Sequence, residues 1–497
     1  MARVLFLNPN RWGRGITTIW VASHAAILRR RGHEVQLFDA TFHRDWAQDE
    51  TGYNTQNLQY KPTNYDRCLV WKVEPVREAL QRALDDFQPD IVFWSALSSH
   101  IHGEGEYVNI QYGEELMKGR ATSALRIAGG LQPTAAPQDT WARFPTLDLL
   151  IGGESELVLG DLVDALARDG RDFNRAPIAG LVWRDSRGDV IVNPRQFLLK
   201  DMDSIGPYDY SLFEDQAFQR PYNGEVVRAV DYELSRGCIY ACTYCVETVI
   251  QRYYGFTELT PRGALVSAKG YLRNKSAARV YEELSWLHRE RGVTLVRCQD
   301  TNFLTIERSM LTRLAELLGE RPLPIRLYVE TRPEGINPTS VELLKRLQVD
   351  GVGMGIELST QSFRERNLNR FADTDRIVAA FRLLREAGIK RTAYNIIGLA
   401  GQDEASVLET IDFNRQLDPD NITVAFYSPY LGTQQHEASA KQDYFQGYEF
   451  DVDSQLRTKS HHREVTRDLL DFYKANFSRL VRSGAGELVS LKRAAGL

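Results

Sequence analysis

The chain has 497 residues, 43% of them hydrophobic and 26% charged, and its 61 Lys and Arg nearly balance 66 Asp and Glu. That is a globular composition, long enough for about two to four domains and for a core that needs no disulfide staples. A net charge of -5 argues against non-specific nucleic-acid or anionic-membrane binding, no apolar run approaches a membrane span, and the stretch Met1–Leu7 is too short for a signal peptide, so the expected location is cytoplasmic.

In chain order, Arg3–Leu7 reads as a strand that breaks at Asn8-Pro9-Asn10 and a loop, Trp12-Gly13-Arg14-Gly15. A helical pattern over Thr17–Arg31 stops at Gly32, and His33–Asp39 alternates like a strand. Residues 43–75 are irregular and polar. A helix over Pro75–Phe87 leads to the apolar run Asp90–Ser95, and the strands Leu125–Gly130 and Leu147–Glu154 both close on paired glycines. Residues 1–155 are therefore expected to form a doubly wound parallel α/β domain, whose ligands sit outside the carboxyl ends of the strands. Asn8, Pro9, Ser95, Gly129, Gly130, Gly152 and Gly153 lie at those ends. Glycine there admits a flat ligand close to the backbone, and tight turns are the alternative reading.

Residues 156–225 read as a linker with a small hairpin, Gly180–Arg184 and Asp189–Val192 around the turn Asp185–Gly188. From 226 to 435 six strand-like runs (Val227–Leu234, Leu295–Gln299, Ile325–Val329, Gly351–Glu357, Thr392–Gly398, Ile422–Tyr427) alternate with helices such as Ser276–Glu290 and Thr374–Ala387. This alternation predicts a complete or partial parallel barrel of the TIM type. Residues 436–497 form the remainder, with a charged helical stretch over Arg463–Arg493.

Five cysteines, Cys68, Cys238, Cys242, Cys245 and Cys298, do not make a disulfide framework. Three of them lie in Gly237-Cys238-Ile239-Tyr240-Ala241-Cys242-Thr243-Tyr244-Cys245, directly after the first barrel strand. Three thiolates on one loop suit three irons of a cubane cluster and leave the fourth iron open. Zinc is the weaker reading, because a closed site needs a fourth ligand and none lies nearby in sequence.

This C-x3-C-x2-C loop, with Tyr244 before its last cysteine, resembles the signature of the radical S-adenosylmethionine (SAM) superfamily. Gly351–Glu357 resembles the strand whose acidic end, Glu357, takes a SAM ribose hydroxyl. Asn395-Ile396-Ile397-Gly398 resembles the apolar strand, with Ile397, that packs on adenine. Ile127–Gly130, Asp148–Glu156 with Glu154, Ile178–Trp183, Gln299–Phe303 and Pro429–Thr433 extend the resemblance to the subgroup with an N-terminal cobalamin-binding domain, over nearly the whole chain to about residue 440. The subgroup's D-x-H-x-x-G pattern is absent, because the loop reads Asn8-Pro9-Asn10-Arg11-Trp12-Gly13, and Ala400 stands where the family often has Pro. His100 and His102 are substitute ligand candidates.

The resemblance implies a [4Fe-4S] cluster on Cys238, Cys242 and Cys245, SAM bound to its open iron, and bound cobalamin. It implies methyl transfer to an unactivated carbon of a small-molecule substrate, with an external donor such as flavodoxin or ferredoxin and no nucleic-acid partner. The rivals are oxidation or ring formation without methyl transfer, a barrel acting beside a vestigial N-terminal domain, and a non-catalytic electron-transfer protein, which usually has four protein ligands to its cluster. Weaker candidates are Asp300 and Asn302, facing SAM or substrate or capping; Cys298, a buried hydrophobe; Glu330 and Arg332, binding polar groups or forming an internal ion pair; and Trp12, Trp20 and Trp94, flanking a corrin or packing the core.

Overall fold

The computed structural model describes residues 1–11, 16–48, 57–97, 105–260, 263–266, 270–427, 430–441 and 465–497. Its first sheet contains β1 (Arg3–Asn8), β2 (Glu34–Asp39), β3 (Ile91–Trp94), β4 (Leu125–Ala128), β5 (Leu149–Ile151), β6 (Leu181–Arg184) and β7 (Val190–Val192). The spatial order is β2-β1-β3-β4-β5-β6-β7, with the first five strands parallel. That is the 2-1-3-4-5 order of flavodoxin-like sheets, whose switch point lies between β1 and β3.

Helices cover both faces of this sheet: α1 (Ile19–Arg30), α2 (Val76–Phe87), α3 (Gly105–Met117), α4 (Leu131–Ala135), α5 (Pro137–Arg143) and α6 (Glu156–Asp169). Val4 and Phe6 enter one core, with Ile19 and Leu159, while Leu5 and Leu7 enter the other, with Leu80 and Leu116. Burial on both faces explains why β1 reads as an uninterrupted apolar run. The expected hairpin forms, but it is no free connector. β6 pairs antiparallel with β5 and β7 with β6, so the hairpin extends the first sheet.

The second sheet is built from β8 (Gln219–Tyr222), β9 (Glu225–Tyr232) and, after the short pairs β10 (Ser235–Arg236) with β13 (Arg273–Asn274) and β11 (Thr257–Thr260) with β12 (Gly263–Val266), β14 (Leu295–Cys298), β15 (Arg326–Thr331), β16 (Val349–Glu357), β17 (Lys390–Ile397) and β18 (Asn421–Phe426). Its order is β8-β9-β14-β15-β16-β17-β18, with six parallel strands and β8 antiparallel at one edge. β18 and β8 do not pair, so the sheet is an open arc and not a closed eight-stranded barrel. It curves enough that Asn421, opening β18, donates to Asn223 in the β8–β9 turn at 3.0 Å. The β18 edge is met by a segment of the N-terminal unit, where Gln59 O accepts from Ile422 N at 3.2 Å and Tyr60 bonds Thr423 Oγ1 at 2.9 Å.

The arc is packed on its outside by α8 (Ala277–Arg291), α9 (Arg308–Glu320), α10 (Pro338–Arg346), α12 (Thr374–Glu386) and α13 (Glu404–Leu417), with α7 (Glu247–Tyr253) following the cysteine loop and α11 (Gln361–Leu368) following β16. In β16, Val352, Met354 and Ile356 face these helices, so Gly351, Gly353 and Gly355 face inward. There they lie against the rings of Tyr222, Tyr328 and Tyr394 and the Glu357 carboxylate. After α14 (Gln434–Lys441), the tail helix α15 (Arg467–Ser483) packs Leu470, Phe477 and Leu480 on Ile422 and Val424, and α16 (Leu488–Ala494) closes the described chain. No described helix is long and apolar enough to cross a membrane.

A three-cysteine loop locked between two domains

The loop from Cys238 to Cys245 leaves β9 through β10, and its backbone is held from several sides. Asp300, fully buried after β14, accepts from Leu234 N at 3.1 Å, Ser235 N at 2.6 Å and Ser235 Oγ at 2.6 Å. It caps no helix, and instead braces the backbone that enters the cysteine loop; burial pushes its carboxyl up to about 7. Gly237 adopts φ +100°, and a Cβ there would stand 2.8 Å from Tyr271 O, so only glycine fits this turn. Gln251 of α7 donates to Cys238 O at 2.9 Å and Tyr240 O at 3.0 Å. Asn369 donates to Ala241 O at 2.7 Å, and Thr243 Oγ1 to Asn367 O at 2.6 Å.

Cys238 and Cys242 are buried and Cys245 is half-buried. Loss of water, then Glu247, raises Cys238 to about 12. Burial, then Cys242 and Glu247, lifts Cys245 well above its ordinary range. Desolvation thus disfavours the thiolate at Cys238 and Cys245, and a bound metal would displace their protons. Arg332 Nη1 lies 3.5 Å from Cys242 Sγ with its guanidinium over the Tyr240 ring, and it pairs with Glu334, as the ion-pair reading expected. Among the described residues no three His, Cys, Asp or Glu side chains gather about one ion. The donor set, three sulfurs and no fourth ligand, fits a cubane with one open iron better than tetrahedral zinc.

Beside the loop, Glu357 ends β16 with φ +62°, a backbone strain that marks a position over-determined by its surroundings. Tyr244 donates to Glu357 Oε1 at 2.8 Å, and Arg370 lies 3.1 Å from the same oxygen. Arg370 also bonds Tyr244 at 3.2 Å and Gly355 O at 2.6 Å. Ile397 is buried at the end of β17 among Val424 and Val407, while its half-buried neighbour Ile396 packs beside Tyr244. Cys loop, Glu357 and the β17 end thus share the carboxyl end of the arc.

In the first sheet, Asn8 and Asp39 end neighbouring strands, and Asn8 donates to Asp39 Oδ1 at 3.1 Å. Asn8 Oδ1 and Asp39 Oδ2 are buried and find no hydrogen-bond partner. Pro9 O receives the Trp46 indole N–H at 3.1 Å. Ser95 has φ +61°, and a Cβ on Gly130 would stand 2.7 Å from Ser95 Oγ. Orphaned polar atoms, a strained serine and close-packed glycines at a switch point fit a ligand with hydrogen-bonding amides such as cobalamin. Gly152, Gly153 and Glu154 have another occupant. A Cβ on Gly152 would meet the Tyr253 hydroxyl at 3.1 Å, and one on Gly153 the Tyr254 hydroxyl at 2.5 Å. Glu154 pairs with Arg273 at 2.7 Å. This corner docks the second domain, because the glycines make room for the two tyrosines at the end of α7.

The interface continues through Arg236, two residues before Cys238, which binds Glu156 Oε1 at 2.5 Å and Glu233 Oε1 at 2.7 Å and lies 3.5 Å from Glu154. Ser23 donates to Glu156 at 2.9 Å. Burial would raise the Glu156 carboxyl, but Arg236 and His24 pull it down to about 2.

Trp20 packs edge-on against Phe6 and Phe93, the Trp94 indole donates to Ile110 O at 3.1 Å, and Cys298 is buried, so these three serve the core. Asn302 accepts from Thr331 at 2.6 Å, and Glu330 accepts from Tyr394 at 2.9 Å. Cys68 sits half-exposed in the turn Tyr65–Cys68. Trp12, Gly13, His100, His102 and Pro429 lie outside the described residues. Sequence reasoning missed Gln251 and Arg370; only the placement of Gln251 on the helix that follows the cysteines offered a signal.

A doubly wound domain is thus clamped to an arc of six parallel strands and one antiparallel edge strand that carries the three-cysteine loop. Residues 232–413 match the sequence model of the Radical SAM superfamily. It is 27% identical over 359 residues to the anaerobic magnesium-protoporphyrin IX monomethyl ester cyclase of Cereibacter sphaeroides, covering 71% of this chain and 53% of that protein. It is 25% identical over 354 residues to an uncharacterized methyltransferase of Pyrococcus horikoshii, covering 71% of this chain and 70% of that one. Thus the chain spans about half the length of the cyclase. The solved structure of the radical SAM methyltransferase TsrM from Kitasatospora setae, with cobalamin and a [4Fe-4S] cluster bound, superposes with a TM-score of 0.63 at 18% identity, covering 89% of this chain and 75% of TsrM. The shared fold includes the α/β domain as well as the arc.

Proposed function

We propose that the chain is a cobalamin-dependent radical SAM enzyme that transfers a methyl group to an unactivated carbon of a small molecule. The observation that carries this reading is Arg236, which ties the strand entering the three-cysteine loop to Glu156 just beyond β5. The two cofactor edges thereby become parts of one block. Bound there, the reduced cluster supplies an electron to the sulfonium of SAM, and cobalamin supplies a transferable methyl group.

In this reading Cys238, Cys242 and Cys245 hold the cluster. Tyr244 and Arg370 orient the Glu357 carboxylate toward a ribose hydroxyl; Ile397, expected to back the adenine, is turned into the helix-side core, and its half-buried neighbour Ile396 takes that place. Asn8, Pro9, Ser95, Gly129 and Gly130 hold cobalamin, while Gly152, Gly153 and Glu154 fix the domain that faces it. Arg332, beside Cys242, raises the cluster's potential by placing a cation near a sulfur. Residues 226–435 are the catalytic unit, 436–497 its C-terminal cover, the electron comes from flavodoxin or ferredoxin, and the enzyme works in the cytoplasm.

A second reading, ring-forming oxidation without methyl transfer, is favoured by the likeness to the cyclase. Anaerobically reconstituted and reduced protein separates the two. The expected products of methyl transfer are 5′-deoxyadenosine together with S-adenosylhomocysteine, whereas 5′-deoxyadenosine alone supports the ring-forming reading. Cys238→Ala is expected to abolish both products. Protein produced with hydroxocobalamin should show a bound corrinoid spectrum, and its absence would remove cobalamin from the reaction.

A further inference from the structure

Among the described residues, Arg297 on the inner face of the arc is a cation held by a single long ion-pair contact. Arg297 lies on β14, inward-facing beside Asp231 of β9 and Tyr328 of β15 in the strand register. Its nearest acceptor is Asp231 Oδ1 at 3.9 Å, and among the described residues its guanidinium makes no hydrogen bond. Asp231 is already engaged elsewhere. It receives Gln299 Nε2 at 2.7 Å and Thr17 Oγ1 at 3.1 Å, and Arg220 stands at 3.4 Å. Arg220 and Asp231 are almost fully buried, whereas 36% of the Arg297 side chain is accessible.

Across from Arg297, the Glu330 carboxylate accepts from Tyr394 at 2.9 Å, and the Tyr394 and Tyr328 hydroxyls bond each other at 2.8 Å. That carboxylate is therefore held by the tyrosine pair. Burial works against the Arg297 charge, but Asp231, Tyr394, Tyr328 and Glu330 more than offset it, so the guanidinium stays cationic inside the arc. Gly353 of β16 carries no side chain, and the two tyrosine hydroxyls fill the space where its Cβ would be. Tyr328, its partner in the strand register, and Tyr394 thus stand near a partly accessible cation, below the Glu330–Arg332 level that reaches Cys242. An arginine fork with spare donors matches a carboxylate in geometry as well as in charge.

We propose that Arg297 is the anchor for a carboxylate of the substrate, and that the enzyme acts on a carboxylate-bearing small molecule with an apolar or aromatic body lying along Tyr328 and Tyr394. This rests on the enzymatic reading above and narrows its substrate class. Asp231 and Gln299 act through Arg297 as positioning residues, setting the side chain without consuming its outward-facing donors.

The test uses the full-length reconstituted protein and two probes, 4-hydroxyphenylacetate and its methyl ester, followed by ligand-observed NMR titration. The wild type is expected to bind the acid at least about tenfold more tightly than the ester, the order of a charge-assisted pair. Arg297→Gln should erase that preference, and Arg297→Lys should keep part of it. Circular dichroism melts identify a variant that fails to fold, and in that case the acid-over-ester preference of the wild type decides alone. Equal binding of acid and ester to the wild type, or a preference that survives Arg297→Gln, overturns the proposal. Reductive cleavage of SAM by the wild-type protein is measured separately. Its absence would sink the enzymatic reading while leaving the carboxylate preference intact, so the two failures are told apart.

Discussion

Arg236→Ala removes the cation at the centre of the domain interface. In the native chain it meets Glu156 and Glu233, whose side chains are 2% and 0% exposed. Truncating one partner of a buried ion pair strands the other charge at a cost of about 3–5 kcal/mol. The depressed Glu156 carboxyl gives a second route to the magnitude. A group held at about 2 against an ordinary 4.5 is stabilised by roughly 3 kcal/mol at neutral pH, at about 1.4 kcal/mol per pH unit. The two routes agree, and a loss of that size lowers the melting temperature by roughly 10 °C in a unit of some 200 residues. Because the folded carboxyl is depressed, its contribution is complete above its ordinary range and fades as pH falls from about 4.5 towards 2. The stability gap between wild type and Arg236→Ala, measured by urea unfolding, should therefore be widest above pH 6 and close on acidification. Adding Glu156→Gln to the variant should recover part of the loss. A gap below about 1 kcal/mol at pH 7, or one that widens in acid, would refute the reasoning.

Burial raises Asp39 from 3.8 to about 6, so the folded chain holds a proton that the unfolded chain has released, and stability falls as pH rises through that window. Asp39→Asn should abolish the fall and leave the cofactor-free protein more stable than wild type above pH 6 by on the order of 1–3 kcal/mol, with no gap near pH 4, as read by thermal melts. A Cβ on Gly353 would stand 2.5 Å from the Tyr394 hydroxyl and 2.8 Å from that of Tyr328. Gly353→Ala should cost about 1–3 kcal/mol by overpacking, and Tyr394→Phe in the same chain should return part of it in denaturant titrations.

The strands were legible because period and composition announce them. β1 and β3 read as apolar runs since helices cover both faces, and β16 was visible from Gly351 to Glu357, although it begins at Val349. The cysteine loop was legible because its chemistry is local, and the three thiols sit within eight consecutive residues. What sequence did not disclose was long-range. Gly152 and Gly153 looked like ligand-admitting turns, yet the atoms that approach them belong to tyrosines a hundred residues further on. Glu154 looked like part of a cofactor edge, and its partner Arg273 comes from the opposite domain. The hairpin around Asp185–Gly188 was visible as a hairpin, but a turn says nothing of the sheet it will join. The antiparallel β8 escaped notice because four residues containing a proline carry too little pattern.

The contact of Gln59 and Tyr60 with β18 has a bearing on how this protein can be cut. A fragment of the arc beginning after the first domain would leave the Ile422 amide on its last strand without this partner and open to another chain. Such a truncation should self-associate even where its own helices form, so the minimal soluble unit of the catalytic half includes a short stretch contributed from far upstream.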